Sequence, residues 1–189
     1  MSSHHIVREK QEPALLVLGM DSFSDELLGQ LLEWSPTVIA TELMAEKLNA
    51  SGIKIDWIIA SYIEADIQSD VKLLPLKRGS VIETAFEFLI ANSYSAVNVV
   101  ADELELDDYL PFSAKINLVI FYDQQKIFAI HPGFSKWKPA GETIKFLTAP
   151  NELKVSGLEK TAENTFKTTA DGIVTIQFTQ PFIFIGESL

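Results

Sequence analysis

The chain opens on an alternation of short apolar runs with amphipathic ones. Residues 14–19, ALLVLG, are continuously apolar and end in glycine, the pattern of a strand buried on both faces of a parallel sheet. SDELLGQLLEWS follows, with Leu27, Leu28, Leu31, Leu32 and Trp34 at helical spacing. Ser24 is placed to cap that helix, and acidic residues fill its first turn. TVIAT (37–41) then predicts a strand, ELMAEKLNASG a helix closed by Gly52, and IDWIIAS (55–61) another apolar strand. The alternation continues through DVKLLPL (70–76), the helix SVIETAFEFLIANS (80–93) and the strand AVNVVAD (96–102). Strands alternating with helices predict a parallel sheet joined by right-handed crossovers.

Beyond this point the period changes. From AKINLVIFYDQQKIFAIHPG onward apolar and polar residues alternate in twos, and turn signals recur at Asp123-Gln124-Gln125, Pro132-Gly133, Pro139-Ala140-Gly141, Pro150-Asn151 and Asp171-Gly172. That pattern predicts antiparallel β structure without further helices. The expected organisation is a disordered polar leader over 1–12, an α/β domain with a parallel sheet over 13–112, and an all-β antiparallel sandwich over 113–189.

Composition narrows the function more by exclusion than by assignment. The chain has 189 residues, is 47% hydrophobic and contains 12 Phe, so it can bury a proper core. No apolar run approaches the roughly 18 residues of a membrane span, and MSSHHIVREKQEP lacks the apolar stretch of a secretory signal, so a cytoplasmic protein is expected. The absence of cysteine removes disulfides, thiolate metal sites and a Cys nucleophile. Of three His, two lie in the leader, and a Ser-His-Asp triad would rest on His131 alone. A net charge of −11 argues against nucleic acid and anionic lipid, and leaves a small molecule, a cation or a protein as partner.

Several motifs, taken in order, resemble those of the thiamine pyrophosphokinase family, whose enzymes move a diphosphate from ATP to thiamine. VIATELMAEKL (38–48) lies without a gap against V-I-A-A-D-G-G-A-N-K-L, and GIKIDWIIASYIE (52–64) against G-I-x-P-D-x-I-I-G-D-x-D-S. KRGSVIE (77–83) lies against K-D-x-T-D-x-E, and VADELELDD (100–108) against G-A-x-G-G-R-x-D-H. In the β half, GETIKFLTAP (141–150) resembles the family's turn, SGLEK (156–160) lies against its G-L-aromatic with Glu159-Lys160 in place of the aromatic, and its Ser-Asn falls on Ala170-Asp171. The resemblance implies the two-part fold already expected, a thiamine-like ligand, Mg²⁺ and ATP if the protein is active, and a homodimer whose β halves meet.

Diphosphate transfer depends on carboxylates that hold Mg²⁺ and on donors that take phosphate charge. At the family's paired aspartates this chain has Ser61 and Ile63, so Glu64, Asp66 and Asp70 read as solvent-facing loop acids. Leu43 and Met44 stand in place of two glycines, Arg78 and Val81 in place of two aspartates, and Glu103, Leu104 and Glu105 in place of Gly-Gly-Arg. The resemblance leaves Glu42, Glu83 and Asp107 as catalytic candidates, Lys77 and Ser80 for an ATP phosphate, and Trp137 and Asp171 on the thiamine side, with Phe166 a further aromatic. Plainer readings compete. Ser80-x-x-Glu83 is the pattern of a helix capping box, ADELELDD of a solvated acidic loop, and His131-Pro132-Gly133 of a turn.

Three functions follow from this balance. The first is a thiamine pyrophosphokinase-like pseudoenzyme that keeps the fold without ordinary diphosphate transfer, and therefore without a cofactor. The second is a divergent working kinase in which Glu42, Glu83 and Asp107 hold Mg²⁺. The third is a non-catalytic small-molecule-binding or dimeric scaffold protein, suggested by the apolar run IVTIQFTQPFIFI, which is expected to need a partner surface.

Overall fold

The computed structural model describes residues 12–62, 68–76 and 79–189. The chain divides into two compact units, Met1–Leu118 and Val119–Leu189.

In the first unit β1 (Ala14–Val17), β2 (Val38–Thr41), β3 (Trp57–Ala60), β4 (Lys72–Pro75) and β5 (Ala96–Val100) form parallel pairs in the order β5-β1-β2-β3-β4. β1 is central and wholly buried, as its unbroken apolar run requires. The helices are α1 (Asp25–Leu32), α2 (Glu42–Ala50) and α3 (Val81–Ala91), each started by a hydroxyl that accepts a first-turn amide: Ser24 from Leu27, Thr41 from Met44 and Ser80 from Glu83. α2 ends as Gly52 takes φ +71°, a left-handed turn suited to glycine. α3 is fixed by aromatic contacts. Phe86 stacks on Phe112 at 4.8 Å and meets the edge of Tyr109 at 5.9 Å, while Phe88 lies 4.6 Å from Trp57.

One expectation fails here. Helical spacing grouped Trp34 with the leucines of α1, yet α1 stops at Leu32 and Trp34 is 68% exposed. Ser35 turns the chain at φ +52° and Pro36 prevents the helix from resuming, so the helical period ends one turn early.

The second unit is antiparallel throughout. Its strands are β6 (Asn117–Tyr122), inside which the division falls, β7 (Gln125–Ile130), β8 (Phe134–Lys138), β9 (Thr143–Phe146), β10 (Lys154–Ser156), β11 (Leu158–Ala162), β12 (Thr165–Thr168), β13 (Gly172–Gln177) and β14 (Ile183–Ser188). One set pairs in the order β11-β12-β9-β14-β7-β6, the other as β10-β13-β8. The two sets share a core of Ile130, Ile144, Phe146, Phe166, Val174, Ile176, Phe178, Ile183 and Ile185. The run IVTIQFTQPFIFI therefore spends most of its apolar surface inside its own unit, leaving Ile173 as its one largely exposed large hydrophobic. Phe166, edge-on to Phe146 at 5.0 Å, is a core side chain and offers no stacking face to a ligand. Among the described residues no helix is long and apolar enough to cross a membrane.

Candidate functional site

In a parallel α/β sheet, ligands lodge at the carboxyl ends of the strands where the strand order reverses. In the order β5-β1-β2-β3-β4 that point lies between β1 and β5. Leu18 and Gly19 leave β1 by donating to the Val100 carbonyl at 2.8 and 3.2 Å, and the chain leaving β5 crosses directly against them. A Cβ on Gly19 would stand 2.6 Å from the Asp102 amide nitrogen, so only glycine permits this crossing.

Asp102 turns its carboxylate into the β1–α1 loop. Oδ1 and Oδ2 accept the Asp21 amide at 2.9 and 3.1 Å, and Oδ1 also faces the Ser22 amide at 3.4 Å and its hydroxyl at 3.5 Å. Asp21 in turn receives Lys47 Nζ of α2 at 2.6 Å. Loop amides of the kind that cradle an anion are thus held by a carboxylate of the chain itself.

Among the described residues, the sequence candidates of this unit sit on separate elements. Glu42 opens α2 just beyond β2 and is exposed. Ser61 lies exposed beyond β3. Ser80 caps α3 by accepting the Glu83 amide at 3.1 Å, and the exposed Glu83 side chain folds back over Gly79. This gives Ser80 a helix-capping role in the structure. Asp107 is exposed in a short 3₁₀ turn, Leu106–Asp108. Lys77, Arg78, Ile63, Glu64 and Asp66 lie outside the described residues, and Asp70 is exposed. Of the residues that replace glycines, Leu43 is 61% exposed and Met44 is buried.

In the second unit, Trp137 on β8 is 57% exposed beside its cross-strand neighbour Ile173. Asp171 accepts the Ala140 amide at 2.7 Å, which ties the β8–β9 turn to the start of β13. His131 Nδ1 lies 2.9 Å from the Pro181 carbonyl, a turn-stabilising contact. Nearby sits a charged cluster that motif reading passed over. Lys138, 5% exposed, donates to Glu142 Oε2 at 2.6 Å and to Glu187 Oε2 at 2.8 Å, and Lys136 reaches the same Glu187 oxygen at 3.4 Å. Glu187 is 7% exposed, and its Oε1 is buried without a hydrogen-bonding partner among the described residues.

The chain is similar in structure to the thiamin pyrophosphokinase of Geobacillus thermodenitrificans, with a TM-score of 0.69 over 93% of this chain and 97% of that one at 12% identity. It is similar to the Bacillus subtilis enzyme at 0.66 over 94% and 99% with 13% identity, and to the yeast enzyme at 0.60 over 96% and 87% with 12% identity. The chain has the thiamin pyrophosphokinase fold. No protein-family model and no curated protein sequence matches it.

On the thiamin pyrophosphokinase fold, the resemblance drawn from the motifs implied Mg²⁺ and ATP at the strand ends. Among the described residues no group of three His, Asp or Glu side chains comes together as a metal site requires. With Ser61 neutral and the loop amides occupied by Asp102, the described residues do not fit a Mg²⁺-bound triphosphate.

Motif comparison missed Asp102 because it falls at an unconstrained position of VADELELDD. Its partner is 81 residues away and is brought near by β1–β5 pairing. Lys138 and Glu187 did leave a signal. Glu187 continues the inward alternation of Ile183 and Ile185, and Lys138 that of Phe134, so charges stand at core positions of two strands.

Proposed function

We propose that this protein is a divergent thiamine pyrophosphokinase-like protein that retains the two-part fold, an α/β half followed by a β-sandwich half, and does not carry out ordinary diphosphate transfer. One observation carries the reading: the Asp102 carboxylate sits on the Asp21 and Ser22 amides at the switch point of the sheet. A phosphate group placed there would have to displace a tethered carboxylate and then remain beside it, with like charges in contact. The acids Glu103, Glu105, Asp107 and Asp108 follow on the same connection out of β5 and add to the repulsion.

On the thiamine side Glu159-Lys160 stand where the resemblance places an aromatic, and Trp137 is the side chain left to replace it. Trp137 presents an exposed aromatic face on which a heterocycle can stack, which supports binding of a thiamine-like small molecule. β8 is an edge strand carrying Trp137 opposite Ile173, which supports a homodimer formed through the β halves. Calorimetric titration with thiamine, ATP and Mg²⁺, joined to a product assay, tests the reading. Thiamine heat without ATP heat is the expected result, and Mg²⁺-dependent thiamine diphosphate formation at about 1 s⁻¹ or faster would overturn it.

A further inference from the structure

At the opposite, amino-terminal end of the parallel strands, where β2 and β3 begin, lies a cavity of about 400 Å³, a size typical of small-molecule sites. Leu32, Pro36, Val38 and Ile53 give it apolar walls, and Lys54 and Asp56 stand at its lining. The walls are held in place. Gln68 accepts the Ile55 amide at 3.0 Å and donates to the Ile53 carbonyl at 2.8 Å, while the Thr37 hydroxyl meets the Tyr94 hydroxyl at 2.9 Å.

Asp56 is the fixed polar group. Its amide donates to the Val38 carbonyl at 3.0 Å, its carbonyl accepts the Lys72 amide at 3.0 Å, and Oδ2 accepts the Val38 amide at 2.9 Å. Oδ1 remains, facing Lys54 Nζ at 3.6 Å, an ion pair longer than a hydrogen bond. The Lys54 side chain is 78% exposed and free to swing, so this pair holds little energy.

We propose that this cavity binds a small zwitterion with an apolar arm, of the class of free hydrophobic α-amino acids. The ligand ammonium takes Asp56 Oδ1, the displaced Lys54 takes the ligand carboxylate, and the arm lies against Leu32, Pro36, Val38 and Ile53. A simple cation would leave Lys54 as an unpaired like charge beside it. A simple anion would have to face Asp56, which the backbone holds in place. A ligand bearing both charges pairs with both residues at once.

Calorimetry on the full chain with L-leucine, leucinamide and N-acetyl-leucine tests this. Leucine should bind with a Kd of about 1 mM or tighter, and the amide, lacking the carboxylate, and the acetyl derivative, lacking the ammonium, should each bind roughly tenfold more weakly. Asp56→Asn keeps an acceptor for the Val38 amide and should weaken leucine by roughly tenfold. Lys54→Met, at an exposed position, should weaken leucine and, by removing the like charge beside Asp56, tighten leucinamide. Absence of saturable leucine binding, equal binding of the three compounds, or unchanged leucine binding by a folded Asp56→Asn would overturn the proposal.

Discussion

Asp102 and Asp21 are joined by a carboxylate that meets a single backbone amide through both oxygens, at 2.9 and 3.1 Å, across 81 residues of sequence. Hydrogen bonds to a charged acceptor contribute about 1.5–3 kcal/mol each, and the carboxylate also faces Ser22. Asp102→Ala should therefore lower stability by about 1–3 kcal/mol in denaturant unfolding. Because it also frees the loop amides, millimolar inorganic phosphate should raise the melting temperature of the variant and leave the wild type unmoved. A variant as stable as wild type would show that the carboxylate is dispensable to the loop.

The crossing of β1 and β5 makes Gly19 irreplaceable for a reason that does not apply to Gly29. A methyl group on Gly19 would meet the Asp102 backbone at 2.6 Å, whereas one on Gly29, exposed in α1, meets nothing within 4 Å. Gly19→Ala should cost about 1–3 kcal/mol through forced backbone shifts. Gly29→Ala should stabilise by about 0.5–1 kcal/mol through helix propensity. Equilibrium unfolding of the two single variants checks the opposite signs.

These two sites also mark where the sequence was legible. The five parallel strands and three helices were readable because apolar runs, capping hydroxyls and Gly52 act within a few residues of each other. Trp34 was misplaced because periodicity alone carries no information on where a helix stops, whereas Pro36, two residues on, is the stop signal. Asp102 was beyond local reading, since its role exists only once β5 lies beside β1. Ser80 had two readings, ligand or cap, and the Glu83 amide on its hydroxyl supplies the cap.

Tyr109 gives the fold an alkaline weakness. It is 1% exposed, and burial, with the Asp108 charge as a lesser cause, pushes its phenol well above the ordinary 10.0. The unfolded chain releases this proton near pH 10.0 while the folded chain holds it. The contribution is complete below that pH and is lost as pH rises toward the folded value. Over that window stability should fall by up to about 1.4 kcal/mol per pH unit from this group. Tyr109→Phe keeps the ring against Phe86 and should flatten the slope, as read by urea unfolding between about pH 9 and 11.5. An unchanged slope would remove Tyr109 as its source.

Lys138 and Glu187 form an ion pair in the second unit with both side chains nearly buried, 2.8 Å apart. Burial alone would lower the Lys138 pKa, but hydrogen bonds and charge from Glu142 and Glu187 outweigh it and hold the ammonium above its ordinary 10.5. Its contribution is complete below that pH and is lost as pH rises through the higher folded value. Lys138→Met preserves the aliphatic stem yet strands Glu187, a loss of about 3–5 kcal/mol for a broken buried pair. Lys136, 3.4 Å from Glu187, should hold the loss toward the lower end. Lys138→Met with Glu187→Leu removes both charges and should recover most of the stability, because a buried ion pair replaced by apolar side chains is often neutral. The double-variant cycle at neutral pH reads this as strong non-additivity. Additive losses would mean that Lys138 and Glu187 act through separate neighbours, with Glu142 the true partner of Lys138.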